Sequence, residues 1–480
     1  MMDTILTYLH AAWLILLVIV FFNFMIFVHE VGHFLAGKWR GAYIDRFQIW
    51  FGKPLWQKKI WGVQFGLGWI PAGGFVSLPQ MESMEGIEGK AELPPEHCHP
   101  LKPLDKVIIA AAGPLFSLLL AYAFAVVVWG LGKPVGDVQG TTVGYVQPDS
   151  PAAVAGVLPG DKVLAVDGKP VSKWMGNMEG LRELVAMSEN EKIELTISRP
   201  GEAQPLTIYS GYKLPETKWW QRGGMRQVGL VPASPAYVGD VIPGSPAAHA
   251  GLGKGQEILQ VNGAPIHSPL AVQIAAAGGK ELRLLVAEGE TTREVVLTPA
   301  EPTNWQGKPG SQPILGIVWG EPVGDIQLEH PTPQQQVNQS LKWMGSTLGK
   351  LFSPGSSVKM EHLSGPVGIG SYIYKMMGVG DGMGWRLVLW FAVVLNVNLA
   401  VLNILPLPVV DGGHVTLGII EMLRGKPVSG RFLDWIMSGF IFLLMAFFLF
   451  VTFKDVGDLV GGEKDPAAEL PAPVFSDAQN

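Results

Sequence analysis

The sequence predicts an α-helical membrane protein with four transmembrane helices and a membrane-associated β element, plus a large α+β segment outside the bilayer. Three observations carry this. Charged residues make up 16% of the 480-residue chain and hydrophobic residues 48%, with a mean hydropathy of +0.27. Four charge-poor stretches, at about 11–36, 107–131, 387–405 and 435–453, approach or exceed the ~20 residues that cross a bilayer. Between the second and third, residues 149–171 align without gaps to 244–266, so one unit occurs twice.

Composition excludes some functions. A net charge of −6 argues against a nucleic-acid partner. The one cysteine, Cys98, forbids an intrachain disulfide. Residues 1–10 carry no Lys or Arg, and no small-residue cleavage site follows the first apolar run, so no cleavable signal is expected. Basic residues set the orientation. The loop after span one holds Lys38, Arg40, Arg46, Lys53, Lys58, Lys59, Lys102 and Lys106, and the loop after span three holds Arg424, Lys426 and Arg431. Taking the membrane to be a bacterial inner membrane, these loops face the cytoplasm. Both termini and the segment 132–386 then face the periplasm.

Span one sets the chemistry. Residues 4–28 contain no formally charged side chain, and the run ends in His29-Glu30-Val31-Gly32-His33. On a helix, residues four apart share a face, so both imidazoles can grip one ion. Glu30 is placed beside them as a general base. This is the H-E-x-x-H pattern of zinc proteases. At 1.5 Å per residue, His29 lies roughly a quarter of the way in from the cytoplasmic side. Ionisable groups at such depth are costly and usually functional. The bland alternative is a snorkelling His/Glu cluster at a helix end.

After span one, residues 61–76 (WGVQFGLGWIPAGGFV) alternate and are rich in Gly. They read as a β-hairpin or looped sheet dipping beside the site, or as an ordinary cytoplasmic hairpin. Residues 82–100 are acidic and loop-like, and His97-Cys98-His99 lacks a second group to complete a tetrahedral site. Span two, closing a first region at 131, opens with Ala110-Ala111-Ala112-Gly113-Pro114, a small-residue face for close helix packing.

The repeat divides the exterior segment into 132–232 and 233–322. Ser150/Ser245, Pro151/Pro246, Gly156/Gly251, Gly160/Gly255 and Gly168/Gly263 are identical pairs, while Asp161 stands opposite Gln256. The pattern of short helix, turn and hairpin resembles PDZ domains of the bacterial, circularly permuted kind. Such domains bind extended peptides by strand addition. Residues 228–231 (VGLV) and 315–318 (LGIV) look like the segments lining each groove. Region 323–386 is a linker with an amphipathic helix from about 332 to 374, carrying Val337, Leu341, Met344, Leu348 and Leu351 on one face and lying on the outer membrane surface. Region 387–455 holds spans three and four, and 456–480 is a tail.

Span three contains Asn396, Asn398 and Asn403, then Pro406 and Pro408, which stop the helix, then Asp411-Gly412-Gly413-His414. Zinc needs a third protein ligand and an open position. Two neutral histidines, one carboxylate and one hydroxide balance Zn²⁺, whereas a third histidine leaves a net charge in a low-dielectric site. Of Asp381, Asp411, Glu421 and Asp434, only Asp411 adjoins a helix break at membrane depth; its alternative is a helix-cap or loop aspartate. Zinc would bring the pKa of a water toward ~7, with Glu30 taking its proton and returning one to the leaving amine. A helical substrate must first unwind, and unwound backbone in lipid is costly. The stretch 66–75, with Gly66, Gly68 and Phe75, offers an edge strand to it. Asn396, Asn398 or Asn403, and Asn403 above all as nearest the break, would hold its freed amides.

Together these motifs resemble the site-2 protease family of intramembrane zinc metalloproteases. The likeness spans nearly the whole chain: H-E-x-x-H in span one, a β element, Gly-Pro in span two, two exterior PDZ domains, and N-x-x-P-x-P-x-x-D-G from Asn403 to Gly412. Order and topology are closest to the family's bacterial branch that regulates sigma-E. The resemblance implies His29, His33 and Asp411 as Zn²⁺ ligands and Glu30 as catalytic. It implies cleavage of a single-span anti-sigma factor already trimmed by a first protease, and of remnant signal peptides, within the lipid bilayer, with the PDZ pair as a size filter. One departure is Ser117, where the family often has Asn. Two other classes compete: a membrane-anchored PDZ scaffold with an inactive metal site, and a metal-ion transporter, which lacks the repeated spans expected of one.

Overall fold

The structure, a computed structural model, describes residues 2–81, 101–134, 140–176, 179–320, 328–380, 382–426, 430–461 and 470–475. His97-Cys98-His99 and Asp381 lie outside the described residues, as does the side chain of Asp434. The chain forms two compact units, one containing the apolar helices and one containing the repeat.

Four helices among the described residues are long and apolar enough to cross a membrane: Ala12–Arg40, Pro103–Leu131, Gly384–Ile404 and Trp435–Val460. The chain is a multi-pass membrane protein. The helices outrun the apolar stretches read from the sequence, because apolarity marks the lipid-crossing part and caps mark the helix. The first is continuous from Met2 to Arg40 and stops at Gly41, whose φ is +74°. The second starts with Pro103 and ends at Gly132, whose amide donates to the Val128 carbonyl.

The β element is larger than the expected 61–76 hairpin. It comprises Arg46–Ile60 and Val63–Ser77, curled so that each strand is used twice. Arg46 pairs with both Ser77 and Gln64, and Ile49 with both Gly74 and Leu67, while Gln57 and Lys59 pair with Gly66 and Gln64. The strip order is therefore 56–60, 63–67, 46–49, 74–77. The first strand was hidden because Gly52, Pro54 and three lysines read as loop. It is held by its start, where Phe47 is buried against Phe34 and Phe65, ring centroids 5.6 and 5.5 Å apart. That cluster joins span one, the sheet and Ile109, Ala110 and Ala112 of span two.

The expected helix over 332–374 is broken. It runs Pro333–Leu351 and resumes as Pro366–Met377, with Ser353-Pro354-Gly355 between; proline cannot continue a helix. Its buried face is Gln336, Val337 and Ser340. Gln336 Nε2 donates to the carbonyls of Ala125 and Pro331, and these bonds fix the face, leaving Leu341 exposed. Near the end of span four, buried Asp455 accepts the Gly368 amide at 2.8 Å, holding the first turn of the 366–377 helix.

In the second unit the two copies fold alike. Ser150 and Ser245 each cap a four-residue helix, accepting the amide three residues on at 3.2 Å, with proline at the first helical position. Asp167-Gly168 and Asn262-Gly263 all have positive φ, the mark of a type I′ hairpin turn. Each copy has its own apolar core, centred on Val163, Ile193 and Ile197 in the first and Ile258, Leu284 and Val286 in the second. The Asp161/Gln256 difference is compensated. Asp161 accepts the Leu158 amide and pairs with Arg199 at 2.7 Å. Gln256 accepts the Gly253 amide and donates to Glu288 at 3.0 Å.

Candidate active site

Three elements of the first unit bring His29, His33 and Asp411 together. The two histidines lie one turn apart on span one, both buried. Asp411 opens the helix Asp411–Arg424, which follows the break at Leu405–Pro408. This helix can fold back tightly because its second and third residues are glycines. A Cβ on Gly412 would stand 2.1 Å from the Leu405 carbonyl oxygen, and one on Gly413 2.3 Å from that of Leu407. Asp411 is not a cap: Val410 holds the N-cap position and no side chain caps this helix.

His29 Nε2 lies 3.0 Å from Asp411 Oδ2, His33 Nε2 lies 3.3 Å from Asp411 Oδ1, and the two Nε2 atoms are 3.3 Å apart. Their other ring nitrogens are occupied. His33 Nδ1 meets the Ile109 carbonyl at 2.8 Å. A carbonyl only accepts, so the proton is assigned to Nδ1 and Nε2 carries a lone pair. His29 Nδ1 meets the Ser117 hydroxyl at 2.9 Å, which allows the same tautomer. Two lone pairs and a carboxylate then face one another. Asp411 Oδ2 is buried yet makes no hydrogen bond, despite its 3.0 Å separation from His29. A cation resolves both problems. For a tetrahedral ion about 2.0–2.1 Å from each donor, the donor–donor edges are roughly 3.3 Å, which fits this triangle. His29, His33 and Asp411 form a group that could hold a metal ion.

Span two supplies the floor. A Cβ on Gly113 would stand 2.2 Å from His33 Nε2 and 2.8 Å from His29 Nε2, so only glycine lets this helix reach the imidazoles. Pro114 follows, and its missing N–H leaves the Ala110 carbonyl without its helical donor, one residue after the Ile109 carbonyl that meets His33. Beside the triangle is a cavity of about 220 Å³ whose walls include Glu30, His33, Asp411, His414, Phe51 and Phe75.

Of the residues read from the sequence, His29, His33, Asp411, Glu30 and Phe75 thus meet at one place. Asn396, Asn403, Gly66 and Gly68 are not on that wall. Asn396 is buried and donates to Ala392 in its own helix. Gly66 is paired on both sides, with Gln48 and Gln57. Gly68 abuts the backbone carbonyls of Trp50 and Phe51, where a Cβ would come within 2.5 Å of both. Glu421, weighed beside Asp411 as a ligand, instead pairs with Lys106 at 3.1 Å. His414 was given no role by sequence reasoning, although its position three residues after Asp411 puts it on the same helix face. Gly113 read only as a packing residue, since no sequence pattern tells which glycine faces a pair of imidazoles.

The chain matches the profile of Peptidase family M50 over residues 17–447. It is similar to a Neisseria meningitidis protein provisionally named a zinc metalloprotease, with 31% identity over 91% of this chain and 97% of that one. It is also 30% identical to the regulator of sigma-E protease RseP of Escherichia coli K12, over 91% of this chain and 97% of the relative. The protease RseP of Yersinia pestis is likewise 30% identical, over 92% and 98%.

Proposed function

This chain belongs to peptidase family M50, the site-2 metalloproteases, and on that premise we propose that it is an intramembrane zinc endopeptidase cleaving an unwound transmembrane segment of single-span proteins. The observation that carries the reading is the triangle of His29, His33 and Asp411, with edges of 3.0–3.3 Å and an orphaned carboxylate oxygen.

In this reading His29, His33 and Asp411 hold Zn²⁺. Two imidazoles and one carboxylate suit zinc and leave a position open. Bound there, zinc supplies Lewis acidity toward a peptide carbonyl and makes water acidic enough to ionise near neutral pH. Glu30, on the cavity wall, takes a proton from the attacking water and returns one to the leaving nitrogen. Ile109 and Ser117 keep the imidazoles in the tautomer that presents Nε2. Phe75 and the strip 74–77 supply an apolar wall and a strand edge. Among the described residues that strip pairs only with 46–49, so an extended substrate can add to it. Asn403 takes an amide freed by unwinding, whereas Asn396, buried in its own helix, and Gly66, paired on both sides, offer the substrate nothing.

The relatives' names point to the sigma-E response. For this chain the proposed substrates are a single-span anti-sigma factor after a first cleavage, and remnant signal peptides. The proposed setting is a bacterial inner membrane, with both termini and the repeat in the periplasm. The copies at 132–232 and 233–322 act as PDZ domains that exclude substrates with bulky exterior domains.

Glu30→Gln tests the mechanism. Purified in detergent, the variant should bind one zinc per chain and fail to cleave a membrane-embedded reporter. Undiminished cleavage would rule the mechanism out.

A further inference from the structure

Segment 470–475 has no part in the proteolytic site, yet it is docked within the second unit along residues 303–305. The Thr303 amide and hydroxyl donate to the Val474 carbonyl at 2.8 and 2.9 Å. Asn304 works in both directions: its Oδ1 accepts the Val474 amide at 3.0 Å and its Nδ2 donates to the Ala472 carbonyl at 2.7 Å. Trp305 Nε1 donates to the Pro471 carbonyl at 2.7 Å. The segment therefore runs opposite to 303–305, read mainly through its carbonyls. That mode suits Pro471 and Pro473, which have no amide to offer and hold the chain extended. A pre-extended segment loses little freedom on docking.

Phe475 of this segment reaches the residue just before a strand of the second repeat. Phe475 Cε2 lies 3.2 Å from where a Cβ on Gly316 would stand, and Gly316 has a φ of +77°. Gly316 leads into the strand Ile317–Gly320. Among the described residues that strand pairs only with Tyr237–Val241, so it has an edge open to an added strand, where Val318 is exposed.

We propose that segment 470–475 is a ligand the chain carries for its own second repeat, and that while docked its Phe475 occupies the Gly316 end of the 317–320 edge. An external extended peptide must displace it before pairing there. The docking rests on the contacts above; its role as a competitor rests on reading the repeat as a peptide-binding PDZ module.

The test compares the full chain in detergent with a chain ended after residue 469 and with an Asn304→Ala/Trp305→Ala variant. Hydrogen exchange of the Thr303 amide should be at least tenfold slower in the full chain than in the other two, with the core strand 257–261 unchanged in all. A synthetic peptide of residues 470–475 should bind the shortened chain, restore protection there, and bind the full chain at least tenfold more weakly. Equal exchange of the Thr303 amide in all three chains, or a peptide that binds neither form, overturns the docking. For occlusion, a Phe475→Ala full chain should bind a fluorescent Ala-Ala-Val-Val peptide several-fold more tightly than the unaltered chain; equal affinities overturn the competitor role. No readout needs peptide hydrolysis, so failure of the protease reading would leave these outcomes separate.

Discussion

The Ser117 hydroxyl lies 2.9 Å from His29 Nδ1, behind the pair of imidazoles and not between them. Span two therefore orients a ring carried by span one without taking up the nitrogen that faces Asp411. Removing that partner should loosen the ring but leave the donors present. Ser117→Ala is expected to weaken zinc binding about 10–100-fold, measured by competition with a chelator. Ser117→Asn keeps a hydrogen-bonding group in reach and should lose much less.

Gly113→Ala should abolish stoichiometric zinc, since the added methyl lands 2.2 Å from His33 Nε2. Alanine favours helix over glycine by about 1 kcal/mol, so helix content by circular dichroism should hold while zinc content by atomic absorption falls. Normal zinc in this variant would mean that span two does not approach the imidazoles this closely.

Asp411→Asn and Glu30→Gln should separate along different axes. The first removes the anion facing two imidazoles and should cost zinc affinity more than Ser117→Ala does. The second should retain zinc and lose turnover. Chelator treatment of the unaltered protein should stop cleavage, and added zinc should restore it.

Asp161 and Arg199 make a testable pair in the first repeat. Asp161 is 1% exposed and bonded to Arg199 and to the Leu158 amide. Asp161→Ala should destabilise that repeat by about 1–3 kcal/mol. The double change Asp161→Gln/Arg199→Glu copies the Gln256–Glu288 arrangement of the second repeat and should recover part of the loss. Denaturant titration of the unaltered chain, Asp161→Gln, Arg199→Glu and the double variant would give the coupling; strict additivity would show the two copies are not interchangeable at this turn.

The sheet shows where local reasoning ran short. Residues 61–76 alternate and read as a hairpin, and the structure makes 63–77 one strand of the curled sheet. Residues 46–60 were not legible as strand, because their pairing with both halves of the later strand offsets the local cost of Gly52 and Pro54. The helix at 333–351 failed differently. Its apolar spacing proposed one continuous helix lying on the membrane surface, whereas the helix breaks after Leu351 and hydrogen bonds from Gln336 to Ala125 and Pro331 set the face that packs on the protein.

By itself the sequence determined the apolar spans, the repeat and the one-turn spacing of His29 and His33, since each depends on periodicity or length within one stretch of chain. It also singled out Asp411, because Pro406 and Pro408 must end a helix and charge balance favours a carboxylate. Tertiary structure alone decided that Gly113 faces the imidazoles, that Ser117 and Ile109 orient them, and that segment 470–475 lies along residues 303–305. Those are contacts between stretches dozens to hundreds of residues apart, and no local pattern encodes which two surfaces will meet.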